Sequence, residues 1–129
     1  MELTVEQALQ RAVAAHNEGK LQDAEQFYGA ILQAQPNHPD ANHNLGVLAV
    51  AVGKHLEAIP LFKLALEANP KIGQFWLSYI DALMSLERFD EVQLVLVEGE
   101  KSGVPSDKLD ALKRRLQENV PNDPTKTAK

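Results

Sequence analysis

The chain has 129 residues, 44% of them apolar and 24% charged, the mixture of one soluble globular domain rather than of a disordered chain. With no cysteine it has no disulfide framework, no thiolate zinc site and no iron–sulfur cluster. Thirteen basic against eighteen acidic side chains leave a net charge of -5, the wrong sign for a protein that holds nucleic acid by neutralising phosphates. Glu2 and Glu6 stand near the start, where a signal peptide would be apolar, and the longest mostly apolar stretch, Leu45 to Val52, is short of the roughly 18 residues of a spanning helix. The expectation is a cytoplasmic chain that binds neither nucleic acid nor membrane.

The sequence repeats. A shift of 34 residues superposes Val13 on Val47, Ala15 on Ala49, Gly19 on Gly53, Lys20 on Lys54, Ala24 on Ala58, Leu32 on Leu66, Ala34 on Ala68 and Pro36 on Pro70, with Tyr28 falling on Phe62. Within the first unit Leu3, Ala8, Leu9, Ala12, Val13 and Ala15 recur at helical spacing. Gly19 interrupts them, and Leu21, Ala24, Tyr28, Ile31 and Leu32 resume the pattern. Each unit is therefore a helix, a turn and a helix. Gly19 and Gly53 suit a backbone reversal that needs positive φ, and Pro36 and Pro70 stop the second helix of each unit. Ala12, Gly46, Ala24 and Ala58 are small where helices must approach closely, with Tyr28 and Phe62 filling the space beside them.

A third unit is more divergent. Trp76, Tyr79, Leu83, Val92 and Leu96 hold the apolar positions, Glu87 replaces the turn glycine and Val104 the closing proline. Ser106 is read as the cap of a further helix with Leu109, Leu112 and Leu116 on one face and charges on the other. The expected class is all-α, with helices near 4–17, 21–35, 39–52, 55–69, 73–86, 89–102 and 106–119. These form one domain over 1–120, made of units at about 5–38, 39–72 and 73–105 and a cap helix at 106–119, with a flexible tail at 121–129. Phe75 falls beside the core stripe and is read as a partial contact or an exposed anchor.

On these residues the chain resembles the tetratricopeptide repeat family, whose unit is a 34-residue helix hairpin. Leu45, Gly46, Ala58, Phe62 and Pro70 meet the family pattern, with Asn42 in place of its first aromatic; Trp76 supplies that aromatic in the third unit, and Ala12, Ala24, Tyr28 and Pro36 match in the first. The resemblance implies a right-handed superhelix of three hairpins plus a cap helix, whose first helices line a groove for a peptide or extended partner segment. Carried onto this sequence, the groove stripe is Glu6, Leu9, Gln10, Val13 and His16, then Asp40, His43, Asn44 and Val47, then Gln74, Leu77, Ser78 and Asp81. The partner-binding residues expected among them are Leu9, Gln10, Val13, His16, His43, Asn44, Val47, Gln74, Leu77, Ser78 and Asp81. The carboxylate clamp of chaperone-binding members is matched at Asn44 alone. Its other positions fall on Leu9, Val13, Gln74 and Ser78, which carry no positive charge.

Chemistry of other kinds finds little support. His38 and His43 do not form the i, i+4 pair of a helical zinc site, no serine sits in a nucleophile elbow, and the paired carboxylates read as solvated helix positions. The chain is expected to be non-catalytic, without metal or cofactor: a protein-binding scaffold, monomeric or weakly homo-oligomeric. Two alternatives remain, a substrate-recruiting accessory domain of a larger glycosyl-, methyl- or sulfotransferase, for which the third unit resembles bacterial repeat regions, and a self-associating adaptor.

Overall fold

A computed structural model describes residues 3–119. Its helices in chain order are α1 (Val5–Asn17), α2 (Leu21–Ala34), α3 (Pro39–Ala51), α4 (His55–Ala68), α5 (Gly73–Ser85), α6 (Phe89–Lys101) and α7 (Ser106–Asn119), and there is no strand among the described residues. Every helix lies within one residue of its expected ends. The tail expected at 121–129 lies outside the described residues. Contacts group into two compact units, Met1–Asn69 with α1 to α4 and Pro70–Lys129 with α5 to α7.

One turn geometry recurs four times. After α1 the Gly19 N–H donates to the His16 carbonyl at 3.1 Å and the Lys20 N–H to the Ala15 carbonyl at 2.8 Å, the paired bonds of a Schellman turn. Gly53 with Lys54, Glu87 with Arg88, and Gly103 with Val104 make the same two bonds after α3, α5 and α6. All four turn residues have positive φ: 79° at Gly19, 83° at Gly53, 97° at Gly103 and 58° at Glu87. Glu87 thus holds the glycine conformation with a Cβ that crowds the carbonyl. Gly103 ends α6, the task that Pro36 and Pro70 perform in the earlier units. The Pro105 carbonyl then accepts from Leu109 N–H at 3.3 Å, so Ser106 lies inside α7 rather than capping it.

Side chains cap the starts of α1 and α3. Thr4 Oγ1 accepts from Gln7 N–H at 3.1 Å while Gln7 Oε1 accepts from Thr4 N–H at 3.0 Å, a capping box for α1. For α3 the cap is His38, whose Nδ1 accepts from Ala41 N–H at 3.1 Å, followed by Pro39 in the first turn.

In the first unit the small residues let the helices close. Ala12, Ala24, Ala41 and Ala58 are fully buried, with Tyr28 and Phe62 at 1% exposure between the helices. A Cβ on Gly46 would stand 2.6 Å from Phe62 Cε1, inside any permissible contact. Ala8, Ala15, Ile31 and Leu48 complete the core around Tyr28, and α2 packs on α3 to join the hairpins.

In the second unit the Trp76 indole N–H donates to the Pro70 carbonyl at 2.8 Å. A Cβ on Gly99 would meet the indole at 3.6 Å, an ordinary contact, which places α6 close against the ring. Asn42, which replaces Trp76 one step earlier, donates from Nδ2 to the Pro36 carbonyl at 3.0 Å and to the His38 carbonyl at 3.1 Å. An amide and an indole thus make the same tie to the preceding proline carbonyl. Phe75 is 3% exposed. It belongs to the core, which corrects its reading as an exposed anchor. Leu109, Leu112 and Leu116 are the buried face of α7.

Two substitutions test these contacts in opposite directions. Glu87→Gly relieves the crowded turn and is expected to raise unfolding stability by about 0.5–1 kcal/mol, since the gain exceeds the added entropy of the unfolded chain. Gly46→Ala gains about 1 kcal/mol of helix propensity but drives a Cβ into a ring that is already fully packed, which costs about 1–3 kcal/mol. A net loss, read by urea denaturation, is expected.

Candidate functional site

The stripe residues of the first unit lie on α1 and α3, which touch each other as well as α2. Gln10 is exposed, and Leu9, Val13, His16, Asn44 and Val47 are half-buried. Leu9 also packs against the core of this unit. His43, expected as a groove donor, is 8% exposed, with its ring 5.6 Å from that of Phe62. One repeat step before and after it stand Leu9 and Leu77, so His43 occupies an apolar position of the repeat.

A polar chain runs through this apolar setting. His16 Nδ1 lies 3.4 Å from the Tyr28 hydroxyl, the Tyr28 hydroxyl is hydrogen-bonded to the Asn44 side chain, and Asn44 Oδ1 lies 3.1 Å from His43 Nδ1. The amide oxygen can only accept, so His43 carries its ring proton on Nδ1. Burial raises the Tyr28 pKa, with the Asn44 bond opposing it. Burial lowers the His43 pKa, opposed more weakly by the Asn44 bond and by the Asp40 carboxylate. Three of the expected site residues are therefore tied together through Tyr28, which the sequence assigns to the core alone.

In the second unit Gln74, Leu77, Ser78 and Asp81 of α5 face Lys108, Ala111, Leu112 and Arg115 of α7 across a cleft of about 490 Å³. Leu77, Ala111 and Leu112 give it apolar walls. Gln74 Nε2 donates to Ser78 Oγ at 3.2 Å along one rim, and Arg115 is paired with Asp81 at 2.7 Å. Arg115 and Asp81 are each about half exposed, so the pair is open to exchange with a ligand rather than a strong brace.

The α7 wall is the part the sequence analysis missed, having read α7 as a solvating cap. A signal was present: one further 34-residue step carries Gln74, Leu77, Ser78 and Asp81 onto Lys108, Ala111, Leu112 and Arg115 in register. The stripe continues on α7 as on the first helix of another unit. His38 is tied to its own helix as a cap. Among the described residues no three His, Asp or Glu side chains gather as a metal site, and no helix is long and apolar enough to cross a membrane.

The lowered His43 pKa has a thermodynamic consequence. The unfolded chain takes up a proton near the ordinary 6.5 while the folded chain resists until lower pH, so His43 supports folding above 6.5 and that support is lost as pH falls through the folded value. His43→Leu, the side chain of the equivalent positions, is expected to flatten the decline of the melting temperature between about pH 7 and pH 5. An equally steep decline in the variant would assign it to other groups.

The tetratricopeptide repeat family model matches residues 43–91. No curated protein sequence matches the chain significantly. Among solved structures, the TPR2B domain of yeast Sti1, in a complex with pHsp70, superposes with a TM-score of 0.81 at 14% identity, covering 90% of this chain and 98% of that one. The first TPR domain of Spaghetti (RPAP3), bound to an HSP90 peptide, gives 0.79 at 15% identity over 88% of this chain and 90% of its own. The O-GlcNAc transferase of Thermobaculum terrenum gives 0.76 at 19% identity, covering 97% of this chain but 25% of the enzyme. The family match is confined to residues 43–91, and the chain as a whole has the tetratricopeptide repeat fold.

Proposed function

We propose that this chain is a non-catalytic protein-interaction module that takes an extended partner segment along the stripe of its first helices. The observation that carries the reading is the cleft between α5 and α7, where equivalent positions of two successive steps supply apolar walls from Leu77, Ala111 and Leu112 and hydrogen-bonding rims from Gln74, Ser78, Asp81, Lys108 and Arg115. Alternating apolar and polar groups suit a peptide backbone with side chains pointing to two sides. The peptide complexes of the Sti1 and Spaghetti domains support the reading, because the same fold holds chaperone-derived segments there. In the first unit Gln10, Val13, Asn44 and Val47 offer a second surface of apolar groups and amides without charge. Asn44 takes part there through an amide already oriented by His43 and Tyr28, which reduces the entropy lost on binding.

This composition also separates the module from carboxylate-gripping relatives. Leu9, Val13, Gln74 and Ser78 carry no charge, and the cations near the cleft, Lys108 and Arg115, come from α7 and share it with the Asp81 carboxylate. A partner of mixed apolar and polar side chains is the better fit.

A test starts from peptides selected on the purified protein from a random display library and followed by nuclear magnetic resonance. Amide shifts should concentrate at Leu77, Ser78 and Ala111, or at Val13 and Val47. Leu77→Glu or Val47→Glu should weaken the corresponding peptide about tenfold or more with circular dichroism unchanged. Peptides that bind both variants as tightly as the wild type would refute the stripe as the binding surface.

A further inference from the structure

We propose that the outer face of α6 is a self-association seam, on which a second copy of this chain docks its own α6 antiparallel. Among the described residues the other exposed large apolar side chains, Leu3, Val52 and Leu56, do not share a helix with one another and need no explanation. Leu94 and Val97 differ. They are 67% and 50% exposed and lie one turn apart on the same helix. Asp90 precedes them by one turn and Lys101 follows by one turn, which gives i, i+4, i+7 and i+11 spacing, the single narrow stripe of a two-helix seam.

The order of these four residues selects the occupant. An acid, two apolar residues and a base read as their own complement when the helix is turned end for end. A twofold axis between Leu94 and Val97 sets Leu94 of one copy against Val97 of the other and Asp90 against Lys101, each contact made twice, as an isologous interface requires. A parallel arrangement would set Asp90 against Asp90 and Lys101 against Lys101. Neither Asp90 nor Lys101 has an ion pair among the described residues, so both are available for the seam.

The flanking charges permit this arrangement. On one flank the twofold brings Glu91 near Glu98 of the second copy, and Arg88, already 3.1 Å from Glu91, offsets that repulsion. On the other flank are Gln93 and Glu100, the latter paired with Lys113 of α7. The seam uses no residue of the α5–α7 cleft, so the dimer and the partner segment do not compete for the same side chains. A 13-residue helix offers a face about 20 Å long, below the standard size of a stable interface, so dissociation near 0.1–1 mM is expected, about what such a contact supports.

Sedimentation equilibrium from about 10 µM to about 2 mM, on the whole chain, reads the outcome. The weight-average mass should rise toward the dimer. Leu94→Gln and Asp90→Lys should each raise the dissociation constant about tenfold or more, and the exchange Asp90→Lys with Lys101→Asp should bring it back to within about threefold of wild type. The rescue is the decisive arm. Asp90 in the first turn and Lys101 in the last turn also complement the helix dipole, and a role confined to the dipole is made worse, not better, by the double exchange. Circular dichroism of each variant confirms that the helices remain. A monomer mass constant to the highest concentration, a dimer indifferent to Leu94→Gln, or a double exchange that fails to restore association would each overturn the proposal.

Discussion

The contact on which the first unit depends is the approach of two helices to the point where one side has no side chain to spare. Phe62 sits at 1% exposure with its ring where a Cβ of Gly46 would be, and Tyr28 occupies the corresponding place beside the fully buried Ala12. An aromatic ring packed onto a bare or nearly bare helix surface brings many dispersion contacts into a small area. It also fixes how the two helices are rotated, and that rotation turns one stripe of α1 and of α3 away from the core. Surface chemistry in this fold is thus a consequence of packing one helix face away.

The turns make the same point from the backbone. Schellman geometry appears after α1, α3, α5 and α6 with matching pairs of hydrogen bonds, yet only three of the four positive-φ residues are glycine. At Glu87 the hairpin imposes the conformation on a residue that disfavours it by about 1–2 kcal/mol. The energy comes from the helices on either side, whose buried Tyr79, Leu83, Val92 and Leu96 require the chain to reverse there. The tie to the proline carbonyl behaves likewise. Asn42 and Trp76 share neither size nor aromaticity, and both donate to the carbonyl of the proline six residues earlier. Position and geometry are inherited by each repeat step, while the side chain that satisfies them is free to change.

That distinction explains what the sequence shows and what it hides. Helix limits, turn glycines and the small and aromatic packing residues are readable, because each is a local or periodic constraint on residue type. Gly103 escapes notice because it takes over a task performed elsewhere by proline, and Phe75 because a residue beside the core stripe is buried by neighbours that periodicity does not name. His38 as a cap is hidden because imidazole is an uncommon cap, though Nδ1 reaches the Ala41 N–H as an Asn or Asp side chain would. The candidate site is half legible. Its α5 wall follows from the stripe, and its α7 wall was obscured by the charges that mark α7 as a terminal, solvated helix. The chain of His16, Tyr28, Asn44 and His43 was obscured because Tyr28 looks like core and is core, while its hydroxyl reaches the polar stripe.

The equivalent positions can be compared with one another within this single chain, and they divide into two sets. Those that pack, such as Ala24, Ala58 and Val92 or Tyr28, Phe62 and Leu96, stay largely apolar from step to step. Those on the stripe change in kind: Gln10, Asn44, Ser78 and Leu112 at one position, and Val13, Val47, Asp81 and Arg115 at another. Fewer packing requirements act on the second set, whose members other than the buried Leu112 are exposed or half-buried. A step that keeps its core and alters its stripe changes what it presents while leaving stability nearly untouched. At the second of these positions valine gives way to an ion pair, while at the first the amides of Gln10 and Asn44 give way to Ser78 and Leu112, so the α5–α7 cleft presents a different chemistry from α1 and α3. On the function proposed above, selectivity resides in the order of stripe residues along the chain, and the apolar, tightly packed hairpins are what hold that order at the surface.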